Sequence, residues 1–244
     1  MEKEGEYLGW LKSGRSDLMD FDNNRKRGDY HRCLFFLQQS SEKLAKATMT
    51  KIGFSSSMGG GVLSELFGLD IKAQKDYGHF WRKNFINQVR NITENAQFAP
   101  LISSLELQGL KNPRTVISKA KKVEDIKNPT EKDVRDIIQY VHNLIDVPEN
   151  ETFKQEVGSK LKEIEPDLNE VARFLDKEAK VKELIGLVEQ FIKWVFSLGG
   201  LMILSTLLSP FYDMRYPSEE NISAFLPHFD EFRELLERCA KAIE

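Results

Sequence analysis

The stretch LGGLMILSTLLSPFYDMRYP, Leu198 to Pro217, constrains this chain more than any other, because it is either a membrane span or a helix at the centre of a core. No charge falls between Trp194 and Tyr212, but Pro210 stops a helix near Ser209. About sixteen helical residues at about 1.5 Å each reach about 24 Å, short of a hydrocarbon layer of about 30 Å. Upstream, Val181, Ile185, Val188, Ile192, Val195, Gly199 and Met202 recur at alternating four- and three-residue spacing. One amphipathic stripe thus runs into the apolar segment, as expected of a helix that becomes buried by degrees. A core helix is predicted, with no membrane partner, and the Gly199-Gly200 pair allows close helix approach or a kink.

The rest of the chain also reads as helix. Tyr7, Leu11, Gly14, Leu18 and Phe21 form a stripe that ends at the turn supplied by Gly28 and Asp29. A second helix is expected from Asp29 to Ile52, with Leu34, Leu37, Ser41, Leu44 and Thr48 on one face and Gly53 closing it. The two make a hairpin. Three glycines at 59–61 lack the following lysine of a phosphate loop and are expected to be a linker.

A third helix is expected to open at His79, and prolines at 100, 113, 129, 148 and 166 divide the chain beyond it into shorter helical pieces. The clearest is TEKDVRDIIQYVHNLID, with Thr130 or Asn128 as its cap. AFLPHFDEFRELLERCAKAIE is expected to be one closing amphipathic helix. No run alternates as a strand would, so the fold class expected is all-α.

The 244 residues carry 35 Lys and Arg against 38 Asp and Glu, so no global basic field marks a nucleic-acid binder. Any such binding has to use a local patch. From Lys111 to Lys132 basic residues outnumber acidic ones, and from Asp146 to Glu189 the balance is acidic. Cys33 and Cys239 stand apart, outside any zinc-ligand spacing, and are expected to be reduced thiols. The opening MEKEGEYLGWLKSG lacks the layout of a signal peptide, so a cytoplasmic location is expected. Neither a cofactor nor a metal is indicated: no dinucleotide fingerprint, HExxH or nucleophile elbow is found.

Taken together and in order, several segments resemble the HEPN domain, a helical nucleotide-binding fold. YLGWLKSGRSDLMDF resembles its first helix and GDYHRCLFFLQQSSEKLAKATMTKIG its second. YGH resembles the start of its third helix, and LLSPFYDMRYP with EFRELLERCAKAIE its closing helices. The resemblance divides the chain into a HEPN-like bundle, residues 1–91 and 188–244, and a helical insertion, residues 92–187. It implies an up-and-down bundle that dimerises. It also implies one of two functions. The first is a binding module that engages a nucleotide, a nucleic acid or a nucleotidyltransferase partner, in a toxin-antitoxin or defence setting. The alternative is a metal-independent ribonuclease.

Nuclease members carry an Arg, four to six residues, then a His, and RDIIQYVH places six residues between Arg135 and His142. Seven steps rotate about 700° on an ideal helix, so both side chains share one face. His142 would take the proton of a 2′-hydroxyl while Arg135 holds the phosphate. Four further residues are candidates for ligand binding. Arg215 follows the apolar helix, His79 and His31 match recurrent family positions, and Lys43 lies on the second helix. Lys43 and Lys46, with Arg15 and Arg32, could form a phosphate-attracting patch. Arg215 has a competing structural role, pairing with Asp213 or Glu42 to lock the corner.

Overall fold

The computed structural model describes residues 2–58, 113–146, 190, 193–194, 196–211 and 222–244. The glycine run at 59–61, the helix expected at His79, His79 itself, Arg215 and the segment around Pro166 lie outside the described residues. Among the described residues the elements are all helical. They are α1 (Glu2–Lys26), α2 (Tyr30–Met58), α3 (Pro113–Glu124), α4 (Glu131–Ile145), α5 (196–207) and α6 (Phe229–Ile243). Short 3-10 turns occupy Ser209–Phe211 and Leu226–His228.

Helices α1 and α2 pack along each other as the expected hairpin. Tyr7, Leu11, Leu18 and Phe21 of α1 are buried with Leu34, Leu37 and Leu44 of α2, which is the face their spacing defines. Each such side chain contributes about 1.5–3 kcal/mol on full burial. The turn between the helices is closed by three hydrogen bonds, Arg27 N to Asn24 O at 3.1 Å, Gly28 N to Arg25 O at 3.0 Å and Asp29 N to Asn24 O at 3.0 Å. Gly28 has φ 73°, a left-handed conformation natural to glycine in this C-terminal motif. Asp29 then caps α2 by accepting from Arg32 N at 3.2 Å.

Two expected boundaries are corrected. Helix α2 does not stop at Gly53 but runs on to Met58. A glycine inside a helix costs only about 1 kcal/mol relative to alanine and blocks no hydrogen bond. The closing helix does not begin at Ala224, because the chain turns at Ala224 and Phe225 and passes through Leu226–His228 before α6 starts at Phe229. Pro227 has no N–H to donate, so the preceding turn cannot be continued as a regular α-helix through it.

Helix α5 is the apolar segment of the sequence, and it is buried on all sides from Phe196 to Leu208. It gives way to the Ser209–Phe211 turn at Pro210. No helix among the described residues is long and apolar enough to cross a membrane. The glycine pair allows close approach. A Cβ on Gly199 would lie 2.9 Å from Val116 Cγ1 of α3, and one on Gly200 would lie 3.0 Å from Val141 Cγ1 of α4. Helices α3 and α4, from segment 92–187, therefore press directly on α5, and their Val116, Val134, Ile137, Ile138, Val141 and Leu144 join the main core.

Helix α6 packs against α1, α2 and α4. Phe229 meets Phe21 edge to face at 5.6 Å, and Phe232 stacks with Phe225 at 6.1 Å. Both cysteines are buried and free. Burial pushes the Cys33 thiol up to about 11 and the Cys239 thiol up to about 12, so both stay protonated at neutral pH.

Candidate nucleotide or nucleic-acid site

Helix α4 begins with a capping box. Thr130 Oγ1 accepts from Asp133 N at 3.3 Å while Asp133 Oδ2 accepts from Thr130 N at 2.9 Å. The Thr130 hydroxyl, which also donates to Asp133 Oδ2 at 2.6 Å, and next the Thr130 N–H hold the Asp133 carboxyl below its usual range. Of the two caps considered, the structure selects Thr130. The apolar side of the helix, Val134, Ile137, Ile138, Val141 and Leu144, faces the core. Arg135 and His142 are thereby placed on one flank, about two turns apart. Arg135 is exposed and forms no ion pair with a described residue, whereas His142 is half-buried.

His142 is bound by a residue that its local sequence does not announce. Arg238 of α6 brings Nη1 to 3.1 Å from His142 Nδ1 and pairs through Nη2 with Asp146. Asp146 is held in turn by the end of α4, where its N–H donates to His142 O at 3.0 Å. A guanidinium only donates, so His142 Nδ1 accepts and the neutral ring carries its proton on Nε2; this tautomer follows from the bond geometry. Burial, and next the positive charge of Arg238, hold the His142 pKa below its ordinary value, against an opposing pull from Glu234 and Glu231. The ring is neutral at neutral pH.

The other expected ligand residues do not converge here. Lys43 Nζ lies 2.9 Å from Asp17 Oδ1 and 2.7 Å from Oδ2, joining α2 to α1. Burial raises the Asp17 pKa, and Lys43 opposes that shift. Lys46 pairs with Glu42 at 2.9 Å and lies 5.0 Å over the Trp10 ring. Arg15 pairs with Glu237 at 3.4 Å and with Glu244. Arg32 pairs with Asp29 at 3.3 Å. These four cations are each neutralised by a separate acid. His31, expected as a ligand-binding residue, is exposed at the start of α2. Among the described residues no three His, Cys, Asp or Glu side chains gather as a metal-binding group.

Arg238 and Asp146 were missed because their partnership spans 92 positions of sequence. A signal was nevertheless present. Arg135, His142 and Asp146 share one flank of α4, and Glu231, Glu234 and Arg238 recur at three- and four-residue spacing beside the apolar face of α6. Two such flanks meet when the apolar faces pack. His228, the remaining described histidine, is 6% exposed and binds Glu231 Oε2 through Nδ1 at 2.7 Å, a local structural link.

The described helices form a bundle that sets Arg135 and His142 on one flank of α4, beside Arg238 of α6. The model of the HEPN domain matches residues 7–152, more than half of the chain, and the chain belongs to this family. Its general class is accordingly that of nucleotide-related or ribonuclease-type modules. The match takes in α1 to α4 and ends before α5. No curated protein and no solved structure matches the chain.

Proposed function

We propose that the chain is a non-catalytic HEPN module that engages a nucleotide or nucleic acid, or a nucleotidyltransferase partner that handles one. It acts as a homodimer, in a toxin-antitoxin or defence setting. The observation that carries this reading is the occupation of His142. Its one acceptor nitrogen is taken by Arg238, and the other carries the proton. A general base needs a free lone pair aimed at the proton it removes, and this ring offers a donor instead. Neutral Nε2–H, exposed Arg135 and Arg238 together make a set of donors suited to phosphate oxygens or a carboxylate.

A metal-independent ribonuclease using Arg135 and His142 is the second reading. One observation favours it: the lowered His142 pKa keeps the ring unprotonated at neutral pH, the charge state that a base needs. The two readings part on one experiment. Purified protein and His142→Ala are incubated with mixed RNA in chelator, and the binding module leaves the RNA intact in both. Chelator-resistant cleavage by the natural chain that disappears in the variant would overturn the non-catalytic reading.

A further inference from the structure

The turn between α1 and α2 concentrates positive charge. In the eight residues from Arg25 to Arg32 there are four Lys or Arg side chains, His31 and a single acid, Asp29. Arg25 is drawn sideways onto Asp230 of α6, with Nη2 to Oδ2 at 2.8 Å. Lys26 and Arg27 are exposed and pair with no described residue.

Helix electrostatics account for only part of this arrangement. Cations in the last turn of α1, Arg25 and Lys26, complement the negative end of its dipole. Arg27 lies past that turn. Arg32, in the first turn of α2, is held by the N-cap Asp29 at 3.3 Å, so Lys26 and Arg27 are the cations left over. The backbone of the knuckle is fixed from both sides, by the Gly28 closure of α1 and by the Asp29 cap of α2. Its cations therefore stand on a rigid support. Between them Tyr30 is 43% exposed, with its ring 6.0 Å from Phe229.

We infer that this knuckle, Lys26, Arg27 and Tyr30, is a docking surface for single-stranded RNA, separate from the α4–α6 site. The cations meet the phosphates and Tyr30 offers its open ring to a base. The aromatic ring among the cations favours RNA over an acidic protein, because stacking on a base is an interaction that phosphate-rich strands add to ionic contact. The two sites sit on different parts of α6: Asp230, which holds Arg25, and Arg238 are eight residues apart, about 12 Å along the helix.

The test measures binding of a fluorescent oligouridine of about 12 nucleotides, within the range that single-strand binders cover, as a function of salt. Lys26→Gln with Arg27→Gln removes two exposed charges, and a melting curve checks that the fold is kept. The expected result is about tenfold weaker binding and a salt slope lower by about 1.4, at about 0.7 per lost phosphate contact. Tyr30→Ala weakens binding about fivefold or more, while Tyr30→Phe restores it. Lys12→Gln, which removes an exposed charge of α1 outside both sites, keeps the wild-type affinity and salt slope.

The inference is overturned if the double variant binds oligouridine with wild-type affinity and slope. It is also overturned if the natural chain binds no oligouridine, or binds a polyglutamate peptide as tightly. Loss of RNA binding in Arg135→Ala or His142→Ala alone would overturn the knuckle and leave the α4–α6 site as the RNA site. Capture of a nucleotidyltransferase without any RNA binding would sink the knuckle and leave the proposed function intact.

Discussion

Helix α6 meets α1 on one side and α4 on the other, and the two seams are built on different principles. Along α1, three α6 charges each find an opposite charge. Arg233 Nε lies 2.9 and 3.0 Å from the two carboxylate oxygens of Asp22, Asp230 binds Arg25, and Glu237 binds Arg15. Along α4, Arg238 divides its guanidinium between a carboxylate and a neutral imidazole. A bond to a neutral ring forgoes the charge attraction that a second acid would supply. The α1 seam is explained by stability alone, and the α4 seam is not. It places Arg135 and His142 beside a third donor residue on the surface of a well-packed core.

Several substitutions sharpen or break this contrast. The largest effect comes from what both seams share: Phe232→Ala, deep in the α6 contact with the core, lowers unfolding free energy by about 3–5 kcal/mol in a denaturant titration. Gly199→Val drives a side chain into Val116 and is expected to cost about 1–3 kcal/mol by the same titration, through the α3 and α4 side. Thr130→Ala removes the α4 cap, lowering stability by about 1 kcal/mol and loosening the start of the helix that carries Arg135. Arg233→Ala severs a half-exposed pair of the α1 seam and costs about 1 kcal/mol or less, with the loss smaller at high salt.

The smallest effect is a dependence on pH. The fold holds His142 below its ordinary pKa, so below about pH 6.5 the unfolded chain takes up a proton that the fold refuses. The His142 contribution is therefore undiminished above about pH 6.5, and stability is lost as pH falls toward the lowered folded value. Melting temperatures between about pH 8 and pH 5 check this, with the acid-side loss smaller in Arg238→Met and absent in His142→Gln. An equal acid-side loss in natural and His142→Gln chains would assign the effect to other groups.

Much of this contrast was open to a reader of the sequence and some was not. The α1 and α2 stripes, the Gly28 turn, the core role of α5 and the Thr130 cap all follow from local spacing and capping, where the physics acts within a few residues. Boundaries failed where two local rules competed: Gly53 favours an end but does not compel one, and Pro227 interrupts an otherwise helical pattern. The proposed site was legible only as a pair on one helix. What surrounds His142 depends on which flank of α6 lies beside α4, a tertiary fact that no spacing within RDIIQYVH contains.

The state of the His142 ring tests the non-catalytic reading most directly. Long-range proton–nitrogen NMR on uniformly labelled protein at neutral pH reports which ring nitrogen carries hydrogen. The predicted result is a neutral ring with its proton on Nε2 and an acceptor Nδ1, and a change in the Nδ1 signal in Arg238→Met. A ring protonated on Nδ1, or a doubly protonated ring at neutral pH, would contradict it.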